Sequence, residues 1–200
     1  MAQSPTLIEL PEALDGPRVR VRPYCPEDAD ALWEAVDESR EHLAPWLPWV
    51  ARYTDPAFAR ETVIRCRARW MLREDLTVGV FAREDGRLLG GSGLHRIDWE
   101  LRTFEIGYWL RRTAGGRGYM REAVQLLTRL AFDALHANRV EIRMDVRNGR
   151  SRRVPEALGF VLEGTLRRST ADTEGRPRDQ HIYALIPEDY RALDWAQRPG

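Results

Sequence analysis

The sequence predicts one mixed α+β sheet domain spanning residues 1–200, and three observations point that way. Alternation of apolar and charged residues marks strands, and apolar residues at helical spacing mark helices between them. The two kinds of segment never settle into a repeating β-α series. A chain of 200 residues suits one core, whereas two halves would each be thin.

Taken in order, Val19 and Val21 alternate with Arg18, Arg20 and Arg22, the pattern of a half-buried strand closed by Pro23 and Pro26. Pro26 also suits a helix start, with Glu27 and Asp28 in the first turn and Ala29, Leu32, Trp33 and Val36 at helical spacing. The stretch HLAPWLPWV, residues 42–50, is broken by its prolines and leaves Trp46, Leu47 and Trp49 to be buried or used. Asp55-Pro56 caps a second helix running to about Leu72.

Residues 76–82 and 88–97 read as strands joined by a hairpin turn whose Asp85-Gly86 supplies positive φ angles, and 103–110 as a further strand. A central helix is expected from Tyr119 to His136, with Ala123, Leu127, Leu130 and Ala134 on its apolar stripe and Asn138 suited to a left-handed cap after it. Val140, Ile142, Met144 and Val146 then alternate with charged residues as a strand, followed by a short helix, Gly159-Phe160, and two closing strands around a turn at 172–175.

Basic and acidic residues balance at 31 each, so no global field draws in nucleic acid or an anionic membrane; every basic residue is arginine. Cys25 and Cys66 lie outside any Cys-x-x-Cys pattern, so neither a disulfide framework nor a zinc knuckle is indicated, and a cytoplasmic location is expected. Met1–Leu10 does not read as a signal, and no apolar run approaches the ~18 residues of a membrane span. His42, His95, His136 and His181 show no metal-ligand spacing, and lone histidines are more often structural than ligating; no metal is predicted.

Gly115-Gly116-Arg117-Gly118 falls between a strand and a helix, where backbone amides can converge on an anion at the helix's positive end, though a tight turn alone also favours glycine. Tyr119 and Met120 stand where a Walker loop needs Lys and Ser or Thr, and Arg121 where a dinucleotide fingerprint needs its third glycine. Nucleotide hydrolysis and dinucleotide binding are both disfavoured. Gly90-Gly91-Ser92-Gly93 fails as a nucleophile elbow because Leu94 fills the last position, and reads as a strand with close backbone packing. The arginines at 147–153 serve a phosphate more simply than they serve RNA.

FEIGYWL (104–110), GGRGYMREA (115–123) and Asn148-x-x-Ser151 with LGF (158–160) resemble the GNAT acetyltransferases, most closely the RimJ/RimL ribosomal-protein branch. RVRP at 20–23, SREHLAPWLPWV at 39–50 and DQHIY at 179–183 extend the resemblance over nearly the whole chain. It implies a mostly antiparallel sheet flanked by helices, whose central strands 103–110 and 139–146 splay apart to admit acetyl-CoA. It further implies that the main chain of Tyr108, Trp109 and Leu110 bonds pantetheine, and that Asn148, which could otherwise form a turn, bonds the same arm. The pyrophosphate would lie on Gly115, Gly116, Arg117, Gly118 and Tyr119. Thr113 departs from the family's usual Gln or Arg, and Pro155 from its usual tyrosine.

Amine attack on a thioester needs a base, and Glu105 resembles the family's cleft glutamate; alone it could equally be a solvated or ion-paired strand carboxylate. Ser151 resembles the branch's serine near the sulfur and could equally be a helix N-cap. Trp46 and Trp49 are either core plugs or walls of an acceptor groove. The activity implied is acetyl transfer to a primary amine, foremost the N-terminus of a ribosomal protein; a small amine acceptor and a non-catalytic acyl-CoA sensor are the alternatives. Members of the family are often homodimers.

Overall fold

The computed structural model describes residues 4–197, so Met1–Gln3, which begin the stretch read above for a signal, lie outside the described residues. Its sheet has eight strands: β1 (Leu14–Asp15), β2 (Val19–Pro23), β3 (Leu76–Ala82), β4 (Leu88–Asp98), β5 (Thr103–Leu110), β6 (Arg139–Asp145), β7 (Val161–Ala171) and β8 (Pro177–Leu185). They lie in the order β1-β2-β3-β4-β5-β6-β8-β7. Every pairing is antiparallel except β5 with β6.

Helices cover both faces. α1 (Ala29–Asp37), the one-turn α2 (Arg40–Leu43) and α3 (Pro56–Leu72) accompany one core cluster, around Leu32, Val36, Tyr53, Val63 and Phe81. α4 (Tyr119–Arg129) and α5 (Gly149–Leu158) accompany the other, in which Ala123, Val124 and Leu127 meet Val19, Val80, Ile106 and Ile142. Of the stripe expected of the central helix, Ala123, Leu127 and Leu130 are buried, whereas Ala134, beyond the end of α4, is exposed. Asp55 caps α3 as expected, its carboxylate accepting from the Ala57 amide at 2.7 Å. The β1 strand and α6 (Pro187–Arg191) are additions that no periodicity announced, since each is too short to show one.

The central helix ends differently from the expectation. After Arg129 it widens into a π turn over Leu130–Ala134, and the left-handed residue that closes it is His136, with φ of 53°, rather than Asn138. The wider turn carries the Ala137 amide to the Ala131 carbonyl at 2.8 Å, so the helix closes early. The Asn138 side chain instead donates to the Leu101 carbonyl, tying the strand start to the loop before β5. Among the described residues no helix is long and apolar enough to cross a membrane.

Two glycine features position the site. A β-carbon on Gly90 would stand 2.2 Å from the Trp109 carbonyl oxygen, so β4 and β5 approach more closely there than any side chain allows. Strands β5 and β6 pair only at Thr103–Arg139, Phe104–Val140 and Glu105–Glu141. Beyond Glu105 they separate, and one edge of β5 runs unpaired to Leu110 in the middle of the sheet.

Candidate active site

Unpaired main-chain groups within a sheet need partners, and neighbouring strands stand ~4.8 Å apart, so the split between β5 and β6 is shaped for an extended chain lying between them. Charges gather where it opens. Glu105 Oε2 lies 3.4 Å from Arg96 Nε and 3.5 Å from Arg143 Nε, and Arg143 reaches Glu141 at 2.7 Å. Period-two geometry holds: Phe104 and Ile106 are buried in the core while Glu105 faces the other side. Glu105 Oε2 is buried with no hydrogen-bond partner, and burial raises the carboxyl above its ordinary pKa against the pull of the two arginines.

On the opposite face of β5, the Tyr108 hydroxyl donates to the Ser151 carbonyl at 2.9 Å and accepts from the Ser151 hydroxyl at 3.1 Å. Burial pushes the Tyr108 phenol well above its ordinary value, so it stays protonated. Ser151 is not the N-cap of α5. Asn148 is: its side-chain oxygen accepts from the Ser151 amide at 3.1 Å, which leaves the serine hydroxyl free for Tyr108. This second use of Tyr108 was not visible in the sequence, where only its main chain entered the reading.

The glycine loop follows. Gly116 and Gly118 have φ of 77° and 80°, conformations that side chains resist, and the α4 amides that begin just after them have no side-chain cap. Around it runs a polar frame. Arg18 donates to the Arg117 carbonyl at 2.8 Å and to Glu122 at 2.9 Å, while the Glu122 carboxylate also accepts from the amides of Arg18 and Val19. Buried Arg111 reaches Glu34 at 3.0 Å and Glu38 at 3.2 Å, joining the end of β5 to α1. Thr113, the departure from the family pattern, donates its hydroxyl to Glu38 at 2.9 Å and so belongs to this frame. The amides of the loop, with no side-chain cap at α4, are free to meet an anion.

Beside the split lies a cavity of ≈ 250 Å³ with aromatic walls from Tyr24, Trp49, Tyr53 and Trp109. Trp49 meets Trp109 edge-on at 5.9 Å and Tyr53 at 5.5 Å. Trp49 and Trp109 thus meet at the cavity, whereas Trp46 does not line it. His95 does, and its Nδ1 lies 3.0 Å from Asp75 Oδ2. Burial pushes the Asp75 carboxyl up, but the hydrogen bonds from His95 and Thr77 outweigh it and hold the group below its ordinary value. Nothing in its sequence spacing sets this histidine apart from a structural one.

Residues 18–161 match the model of the acetyltransferase (GNAT) domain. YdaF of Bacillus subtilis (strain 168), a protein named as an N-acetyltransferase, is 32% identical over 173 residues, 86% of this chain and 93% of that protein. The ribosomal-protein-serine acetyltransferase of Escherichia coli (strain K12) is 33% identical over 157 residues, 78% of this chain and 85% of the enzyme. The solved structure of RimL, a ribosomal L7/L12 alpha-N-protein acetyltransferase in complex with coenzyme A, shares the fold: TM-score 0.81 at 23% identity, over 88% of this chain and 98% of that one. On the family match and the split sheet with its glycine loop, the chain belongs to the GNAT acetyltransferases, acyltransferases whose acyl donor is acetyl-CoA.

Proposed function

We propose that this protein transfers the acetyl group of acetyl-CoA to the α-amine at a protein N-terminus, by direct attack in a ternary complex. The observation that supports this most is the unpaired edge of β5, which runs from Glu105 past the aromatic cavity to the glycine loop. Pantetheine would bond the main chain of Tyr108, Trp109 and Leu110 there, with Asn148 across the split. The pyrophosphate would meet the amides of Gly115 to Tyr119.

The acceptor would enter by the cavity, whose ≈ 250 Å³ lies below the ~300–1,000 Å³ of pockets for drug-sized ligands. A chain end fits that space better than a multi-ring antibiotic. An N-terminal amine also ionises near ~8 against ~10.4 for a lysine side chain, so a weak base suffices near neutrality. Relatives named as ribosomal-protein acetyltransferases agree with this acceptor. In this reading Trp49 forms a wall of the acceptor site and Trp46 stands outside it.

Glu105 assists removal of the amine's proton across an intervening group, because its Oε2 is held beside Arg96 and Arg143 and it does not line the cavity. Ser151, paired with Tyr108, donates to the departing thiolate. The test is thiol release from acetyl-CoA with unblocked ribosomal N-terminal peptides, polyamines and aminoglycosides. Turnover with the peptides alone is expected. Preference for a polyamine or aminoglycoside would overturn the acceptor, and tight CoA binding without any release would make the protein a sensor.

A further inference from the structure

A proton acceptor must touch the amine, and the cavity offers few. Tyr24, Tyr53, Tyr108 and Cys66 all line it, and burial raises each of them, Cys66 to about 11, so all remain protonated near neutral pH. His95 is the remaining titratable group on its wall.

Its placement is tightly specified. A β-carbon built on Gly93 would stand 2.8 Å from His95 Cε1, and one on Gly107 would stand 3.1 Å from Cδ2 and 3.4 Å from Nε2. Gly93 and Gly107 are partners across β4 and β5, so the ring lies folded over a pair of glycines that makes room for it. Gly107 is two residues beyond Glu105, on the stretch of β5 that β6 has already left. Asp75 holds Nδ1 at 3.0 Å and is itself hydrogen-bonded by the Thr77 hydroxyl. That assigns the proton to Nδ1 and leaves Nε2 as an acceptor, with no hydrogen-bond partner among the described residues.

We propose that His95 is the catalytic base: its Nε2 takes the proton from the acceptor amine, Asp75 orients the ring, and Glu105 stabilises the imidazolium. Glu105 is the cross-strand partner of His95 and lies on the same face of the sheet. The proposal rests on the acetyl-transfer reading above and supplies its intervening group. The ammonium form of the acceptor gives its proton to Nε2; the neutral amine's lone pair forms the C–N bond to the thioester carbonyl carbon and the C–S bond breaks. The nitrogen sheds its second proton as the CoA sulfur gains one at the Ser151 side, and His95 returns its proton to water. Atoms and charge balance, with one proton released for each ammonium acetylated.

The charged groups around the ring are Asp75 from the turn before β3 and Glu105 from β5. Behind them stand Arg69 of α3 acting on Asp75, and Arg96 of β4, Arg143 and Glu141 of β6 acting on Glu105.

The test is the pH dependence of kcat/KM with the best acceptor found by thiol release. Wild-type enzyme is expected to show a lower limb that stays in place when one acceptor amine is exchanged for another. His95→Gln should lose that limb and about 10²-fold or more in kcat, with KM for acetyl-CoA unchanged and thermal protection by CoA intact. Asp75→Asn should slow turnover while leaving KM for acetyl-CoA unchanged, because the ring loses its fixed tautomer and orientation. A limb that follows the acceptor's own pKa in the wild type, undiminished turnover by Asp75→Asn, or near wild-type turnover by His95→Gln would each overturn the proposal, and the first two stand if His95→Gln does not fold. Absence of acetyl transfer to any amine by the wild-type protein would instead sink the functional reading itself.

Discussion

Tyr108 and Ser151 exchange two hydrogen bonds, at 2.9 and 3.1 Å, so a side chain of β5 closes the far side of the split onto the first turn of α5. The resemblance to the family implies a tyrosine in the short helix, where this chain has Pro155. Here a tyrosine hydroxyl reaches that helix from the neighbouring strand and ends at Ser151.

Removing either hydroxyl separates structure from chemistry. Ser151→Ala removes the group proposed to protonate the thiolate and should lower kcat by about 10²-fold, with a smaller change in KM for acetyl-CoA. Tyr108→Phe leaves the Ser151 hydroxyl and carbonyl without that partner, so it should cost about 1 kcal/mol of stability as well as rate. Single-turnover thiol release with thermal unfolding checks both. Equal rates in wild type and Ser151→Ala would remove the serine from the mechanism.

Glu105 gives a prediction with opposite signs. Its carboxyl pKa is raised in the folded chain, so the stabilisation linked to its proton is present at acid pH and lost as pH rises through the folded value. Once ionised, the buried carboxylate therefore weighs against the fold. Glu105→Gln keeps the shape without that charge and should unfold at a higher temperature at pH 7 while turning over more slowly. A variant that is both less stable and fully active would contradict both halves.

Much of this was legible in the sequence, and the gaps have physical causes. Alternation located Glu105 opposite Phe104 and Ile106, because a strand's period is local. Where β5 and β6 part was not legible, because pairing depends on residues 36 apart in the chain, as Glu105 and Glu141 are. Ser151 and Asn148 are both good caps, and only the backbone path shows which one caps α5. His95 looked like a lone histidine because its holder, Asp75, and the glycines beneath it, Gly93 and Gly107, come together only through three strand neighbours. The π turn that moved the helix end from Asn138 to His136 has no propensity signature of its own.

The glycine loop can be tested against an internal control. Gly118 and Gly86 both hold left-handed backbone, with φ of 80° and 72°. An alanine at either position should cost about 1 kcal/mol of stability, since the strain is the same. Only Gly118 lies at the N-terminus of α4, so only Gly118→Ala should also raise KM for acetyl-CoA. Equal KM values in the two variants would mean that the loop is a turn and no more.

Acid stability should trace to a pair away from the site. Arg22 grips Asp28 with two nitrogens at 2.7 and 2.8 Å, and the Cys25 amide adds a third hydrogen bond at 2.8 Å. Burial pushes the Asp28 carboxyl up, but these donors outweigh it and hold the pKa below its ordinary value. A carboxyl lowered in the folded state contributes stability that is present above the unfolded value of about 3.9 and is lost as pH falls through the folded one. Asp28→Asn keeps the side chain's shape but removes the charge, so at pH 7 it should cost about 2 kcal/mol, as expected for hydrogen bonds to a charged group. Urea unfolding from pH 7 downward should show that deficit shrinking as pH falls through the lowered folded value, below which wild-type Asp28 is protonated as well. A deficit that stays constant across this range would mean that packing at the start of α1, and not the ion pair, is what Asp28 contributes.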